Sequence, residues 1–402
     1  MKASTYFFIL FLLTVRVFDI QPFGEWFYSY NGLPWIASIF VWMMIGVFLF
    51  GKRGNHSLYT KEYRLPILLI LLGVFFSFVP AYYFYNQSLF TSLVAYRKVY
   101  YWFVAFVILY IGPKPEDIIK PALLFSIVFF IMSMLKTYYF DALFYINKES
   151  SEYIRDLGEI VRTEGLELLL FPLYYYGEKM RNSFSWNNML VVGAILAMFF
   201  IIQNRSTLFV SVFIISLMLL TNKSQYRFIY TVIIVALGVF SLYQTAEIWL
   251  SLLRETQNQL ADTNYNRVKA FNYFIYEGYQ NWFVFLFGNG FLSAHSTTHM
   301  QDMMGMGVYN TDLGFVGFWN QFGIIPVAVF IIYCVKTLIK KKMPVYVKAL
   351  ALHILLNSLT IAYFLTGVRA LWFILFYYLY VYYNNRKRYD KIASKISRTR
   401  NN

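Results

Sequence analysis

What most limits the fold of this chain is a succession of apolar runs, each about the 20 residues that a helix needs to cross a hydrocarbon layer. Run length predicts about twelve helices, near 4–20, 33–50, 65–85, 88–111, 118–140, 166–177, 186–203, 205–221, 226–246, 311–335, 345–365 and 369–383. Only 14% of the residues are charged and 59% are hydrophobic, against roughly 25% charged in soluble domains. The expected fold class is therefore an all-α polytopic membrane protein, with residues 1–402 as one integral membrane domain. The first run follows Lys2 as a signal peptide would, but Arg16 and Asp19 come after it and no small-residue cleavage site is evident. It is expected to be a retained span.

Loop charge orients the spans. With the N-terminus in the cytoplasm and the sides alternating, the inner segments receive Lys52, Arg53, Lys61, Arg64, Lys114, Lys120, Lys179, Arg181, the lysines from Lys336 to Lys348 and the basic tail from Arg386 to Arg400. This is the larger share of the 35 Lys and Arg, as the positive-inside rule requires. Both termini are then cytoplasmic, and the tail lies where it can meet anionic lipid heads. The formal charge of +15 is spread over these short loops and does not point to nucleic acid. Two outer loops are long, 141–165 and 247–310, and the second is the largest aqueous segment of the chain.

Charges at span ends or at membrane depth are costly, so they are candidates for function. On the outer side these are Arg97, Lys98, Arg205, Arg267, Lys269, Asp312 and Arg369. Several arginines on one face of an apolar protein suit an anionic ligand, because each guanidinium offers a planar fork of donors to phosphate oxygens. Each residue also has a plainer explanation. Arg97 and Lys98 end a span and can snorkel to the head groups. Arg205 sits in the short hairpin Gln203-Asn204-Arg205-Ser206, Arg267 can pair with Asp262, and Arg369 can anchor the last span. Asp312 opens a span, where a first-turn acid gains from the helix dipole. It is also the best-placed carboxylate for general-base work.

Other chemistry finds little support. His295 and His299 share a helical face at i, i+4, but no Glu accompanies them, so no metal site is expected. His353, inside a span near its cytoplasmic half, reads as a hydrogen-bonded core residue, and the single Cys334 as a small buried one. No phosphate-binding loop, dinucleotide fingerprint or nucleophile elbow is present, and no cofactor is expected.

Near the end of the large outer loop the chain reads Gly288-Asn289-Gly290, then Thr311-Asp312-Leu313-Gly314-Phe315-Val316-Gly317, then Gln321-Phe322-Gly323-Ile324-Ile325. In these motifs, and in the placing of Arg205 and Arg267, it resembles the Wzy-type polymerases of O-antigen and capsular polysaccharide. These belong with the O-antigen ligases to one membrane glycosyltransferase group. The resemblance covers the layout and roughly residues 203–325. It implies a GT-C-like fold in a bacterial inner (cytoplasmic) membrane. It also implies oligosaccharide repeats on undecaprenyl diphosphate as substrate, membrane lipids as surroundings, and room for a chain-length regulator as partner. On this basis Arg205 and Arg267, with Arg369 and Arg97, are expected to hold the diphosphate. Asp312 is expected to orient or deprotonate the attacking hydroxyl. Gly288 and Gly290 are expected to let the backbone approach the substrate closely. Ligases usually carry a His-Asn pair where this chain has Thr311-Asp312, which favours polymerase over ligase. A ligase remains an alternative. So does a repeat-unit flippase, although a transporter would spread ionisable residues through its spans and often shows internal repeats.

Overall fold

The computed structural model describes residues 3–14, 33–50, 57–138, 165–183, 185–202, 204–221, 266–277, 282–292, 313–359 and 367–400. Among them the regular elements are helical and none is a strand, so the chain is all-α as its apolar runs require. In order the α-helices are α1 (Ala3–Thr14), α2 (Leu33–Phe50), α3 (Ser57–Phe76), α4 (Phe78–Tyr85), α5 (Leu89–Ala95), α6 (Val104–Ile111), α7 (Glu116–Tyr138), α8 (Leu170–Asn182), α9 (Trp186–Ile201), α10 (Arg205–Leu220), α11 (Asn266–Asn272), α12 (Trp282–Phe287), α13 (Phe315–Phe322), α14 (Ile324–Ile339), α15 (Val345–Asn357) and α16 (Gly367–Arg400). Two 3₁₀ segments, Tyr96–Phe103 and Leu166–Leu169, precede α6 and α8. The predicted run at 226–246 lies outside the described residues.

Among the described residues, two stretches are long and apolar enough to cross a membrane, Arg64–Tyr85 and Glu116–Leu135. A third counts if Leu89–Ala95 and Val99–Ile111, bent by 73°, form one span. Five shorter apolar helices accompany them, α1, α9, α14, α15 and the stretch Ser206–Leu220 of α10.

Local chemistry accounts for where helices begin and end. The Ser88 hydroxyl accepts from the Thr91 amide at 3.1 Å and caps α5, and Asn204 Oδ1 accepts from the Thr207 amide at 3.2 Å and caps α10. Glu116 and Asp117 lie in the first turn of α7, and Lys179 and Arg181 in the last turn of α8, each favourable to the helix dipole. Gly112 ends α6 in the left-handed conformation that glycine adopts without strain. The start of α15 is capped from a distance: the Glu178 carboxylate accepts from the Val345 and Tyr346 amides at 3.0 and 3.1 Å.

The last helix occupies the middle of the bundle. From Ala370 to Val381 every residue of α16 is buried, on all sides of the helix. A helix that is apolar all round is stable only when surrounded. Here α1, α3, α6, α15 and both 3₁₀ segments pack around it. Phe373 stacks on Phe330 with ring centroids 4.5 Å apart and meets Trp102 at 5.6 Å. Tyr378 donates to the Pro113 carbonyl. The helix continues past the expected end at 383 to Arg400.

Two expected spans are broken rather than continuous. The run at 311–335 splits at Gly323 into α13 and α14, and the run at 88–111 bends through the 3₁₀ segment. Broken backbone inside a membrane must find partners in protein. The segment after α12 supplies them: the Asn289 and Gly290 amides donate to the Asn320 and Gln321 carbonyls, at 2.7 and 3.0 Å. Those carbonyls end α13 and would otherwise lack an intrahelical donor.

Candidate functional site

Alternating helix directions give the bundle two chemically different ends. Helices α8 and α15 run antiparallel. Glu178 meets the start of α15 at one end, and further along the Tyr174 hydroxyl lies 2.6 Å from His353 Nδ1. At the far end Asn357 Nδ2 reaches Thr207 Oγ1 of α10 at 3.5 Å. The first end carries Lys179, Arg181 and the Lys340–Lys342 turn. The opposite end carries the start of α10 after Asn204, the end of α15, the start of α16 and the Leu166–Leu169 segment.

Most of the sequence-selected positions attach to that opposite end. Arg205 is two residues from Thr207, and the structure describes its backbone at the start of α10. Asp312 itself lies outside the described residues. Its neighbours do not: the Phe315 amide donates to the Ser358 carbonyl at 2.9 Å, just beyond the end of α15. Gly314 presses so closely on Ser358 that an added Cβ would stand 2.1 Å from the carbonyl oxygen, at φ +52°. Arg267 lies on α11, three residues before Ala270, and Ala270 and Phe274 form a small buried cluster with Leu313. The helix bearing Arg267 therefore packs on the residue that follows Asp312. Arg97 lies in the 3₁₀ segment that packs against α16, and Tyr101 of that segment abuts Gly367.

Arg369 is described fully. Its Nε donates to Glu167 Oε1 at 2.8 Å, and both side chains are partly buried. Glu167 was not singled out from the sequence. It stands between a charged loop and an apolar run, where nothing local separates it from the loop's other acids. The approach of the Leu166–Leu169 segment to α16 makes it a partner of Arg369.

A polar network lies inward of this end. Asn357 Nδ2 is 2.8 Å from His353 Nε2, so His353 is bracketed by Tyr174 and Asn357 and is fully buried. This agrees with the reading of His353 as a hydrogen-bonded core residue. Its depth differs, however: α15 stops at Asn357, so His353 sits one turn from the far end of its helix and not toward the lysine-rich end. Tyr174→Phe would remove one partner of a buried imidazole, and the expected cost is about 1–3 kcal/mol. Thermal unfolding of the detergent-solubilised protein measures it; an unchanged midpoint would show that the contact contributes nothing. Cys334 is fully buried, as expected.

Gly288 and Gly290 lie elsewhere, at the break between α13 and α14. Their φ angles are +76° and +83°. A Cβ on Gly288 would stand 2.3–2.4 Å from the Gln321 and Phe322 backbone, and one on Gly290 2.7 Å from the Ser77 carbonyl oxygen. Close backbone approach is thus what both glycines provide, and what they approach is the protein itself. Around them Tyr96 accepts from the Phe291 amide at 2.7 Å and its hydroxyl lies 2.5 Å from Ser77 Oγ. Gln87 Nε2 donates to the Phe291 carbonyl at 3.0 Å and to Ser92 Oγ at 2.9 Å. The eight residues of α13 separate this crossing from Leu313, about 12 Å by helical rise. His295 and His299 lie outside the described residues.

No family model matches the chain, and no curated protein matches it either.

Proposed function

We propose that this chain is a polytopic membrane glycosyltransferase that polymerises undecaprenyl-diphosphate-linked oligosaccharide repeats into O-antigen or capsular polysaccharide. In this reading it has about twelve spans in a GT-C-like arrangement, by run length and resemblance. Both termini are cytoplasmic in a bacterial inner membrane, and residues 247–310 form an outer loop. The observation that carries the reading is a convergence. The backbone bearing Arg205, the chain next to Asp312 and the start of α16 with Arg369 all meet about the end of α15, and the helix bearing Arg267 packs on Leu313. Segments that bear or adjoin four candidate residues far apart in sequence thus lie at one end of the described bundle, opposite the Lys340–Lys342 turn.

The chemistry assigned to this end is glycosyl transfer from a diphosphate. A sugar hydroxyl of one lipid-linked repeat attacks the anomeric carbon of the growing chain. The bond from that carbon to the diphosphate oxygen breaks, and the oxygen keeps the electron pair. Guanidinium groups at Arg205, Arg267 and Arg369 stabilise the charge that develops there. Asp312 takes the hydroxyl proton. Arg97 adds positive charge beside α16, and apolar grooves between helices hold the prenyl tails.

Deleting the chain from its cell tests the reading. Loss of a polymerase leaves single repeats on the surface acceptor. Loss of a flippase leaves repeats inside the cell, and loss of a ligase leaves finished chains on the carrier; either of those results would replace the proposal. Asp312→Asn keeps the size of the side chain but removes the base. It is expected to lower polymer formation by about 10²-fold or more. A near-normal polysaccharide ladder on a gel would remove Asp312 from the catalytic step.

A further inference from the structure

The ion pair between Arg369 and Glu167 needs a reason. It stands at the start of α16, immediately before the stretch that is buried on all sides, and its side chains are 24% and 14% exposed. For a pair in that setting, desolvation of both ions offsets most of their attraction, so stability alone explains little. The backbone on either side is fixed. Phe171 and Trp372, one turn inward on their helices, meet with ring centroids 6.5 Å apart, and His353 lies between Tyr174 and Trp372 at 5.8 and 6.0 Å. Leu166, Leu168 and Val368 are buried beside them. The two charged side chains can therefore separate by rotation about their own bonds, while buried contacts hold the Leu166–Leu169 segment against α16.

We infer that Glu167 is a placeholder for a phosphate group: its carboxylate holds the Arg369 guanidinium until the diphosphate of a lipid-linked glycan displaces it. The inference rests on the reading of Arg369 as a diphosphate ligand. Carboxylate and phosphate oxygens compete for the same planar donors. The diphosphate carries more charge and wins. Glu167 then lies beside a bound anion and opposes it, which weakens the resting affinity and hastens release of the spent prenyl diphosphate. The carboxylate also keeps the guanidinium aimed while the site is empty, so that little ordering remains to be done on binding. Glu167 acts here through Arg369 and is a positioning residue.

The sign of one substitution separates this role from a structural one. A structural partner, once removed, loosens Arg369 and weakens binding. A placeholder, once removed, strengthens it. The full chain in lipid nanodiscs is titrated with undecaprenyl diphosphate, comparing wild type with Glu167→Gln, Glu167→Asp, Arg369→Gln and the double variant Glu167→Gln with Arg369→Gln. Glu167→Gln is expected to bind roughly five- to fifty-fold more tightly, the range for removing one like charge a few ångströms from a bound anion. Glu167→Asp withdraws the carboxylate by one methylene and is expected to gain a smaller factor. Arg369→Gln weakens binding, and in its presence the Glu167→Gln gain disappears. Turnover should show the complementary split, with a lower KM and a lower kcat in Glu167→Gln. Equal or weaker binding by both Glu167 variants, with wild-type binding intact, overturns the placeholder alone. Failure of wild type and variants alike to bind the prenyl diphosphate overturns the glycosyltransferase reading and the placeholder with it.

Discussion

Arg205→Ala and Arg267→Ala are each expected to abolish long-chain polysaccharide while the protein still accumulates in the membrane. The reason to expect accumulation is local. The cap of α10 is made by Asn204 on the Thr207 amide, and its tie to α15 runs through Thr207 and Asn357. Neither contact uses the side chain of residue 205. The packing of Ala270 and Phe274 on Leu313 is likewise made by other side chains. Removing a cationic donor aimed at a leaving group costs about 10²–10³-fold in rate, or roughly 2.7–4 kcal/mol in the transition state. Polymer length depends on repeated transfers, so a loss of that size in each step leaves short products. Gel analysis of polysaccharide beside immunoblots of membranes makes the measurement. Normal ladders in both variants would remove the diphosphate clamp from consideration.

Gly323→Ala is expected to have the largest effect on stability. Gly323 joins α13 to α14 at φ +79°, a region that an L side chain enters only with strain. An added Cβ there would stand 1.9 Å from the Leu286 carbonyl oxygen and 2.5 Å from the Phe287 amide nitrogen. Both neighbours are backbone, at the end of α12 and directly before the segment that satisfies the end of α13. They cannot yield without breaking the hydrogen bonds from Asn289 and Gly290. Backbone strain of about 1–3 kcal/mol and overpacking of about 1–3 kcal/mol act together. The expected result is a sharp fall in membrane accumulation and in the unfolding midpoint. Gly193→Ala is the control. Gly193 lies inside α9 with open space where its Cβ would be. There alanine should be neutral, or stabilising by up to about 1 kcal/mol from helix propensity. Equal behaviour of the two variants would mean that the crossing at Gly323 does not hold the bundle.

Apolar periodicity and length made most helices legible. The run 33–50 is α2, and the run 118–140 differs from α7 by two residues at each end. The breaks were not legible. Gly323 sits in an apolar run, with Pro326 in the turn after it as the one local mark of a new helix start, and its backbone lies against Leu286 and Phe287 from elsewhere in the chain. The same limit applies to the glycines at 288 and 290. Their type announced close approach, but what they approach depended on neighbours, Gln321 for Gly288 and Ser77 for Gly290, that no local pattern names.

Composition and run length by themselves determined that this is a helical, membrane-suited chain whose basic residues collect on its short loops, because burial of backbone polar groups and the distribution of charge are additive properties of the residues. The tertiary structure alone decided that α16 lies at the centre, that Arg369 meets Glu167, and that His353 meets Tyr174. Those are pairings between helices nearly two hundred residues apart, or between side chains brought to one depth by antiparallel packing. Which apolar face meets which is settled by shape complementarity among many similar surfaces, and no single stretch of sequence carries that information.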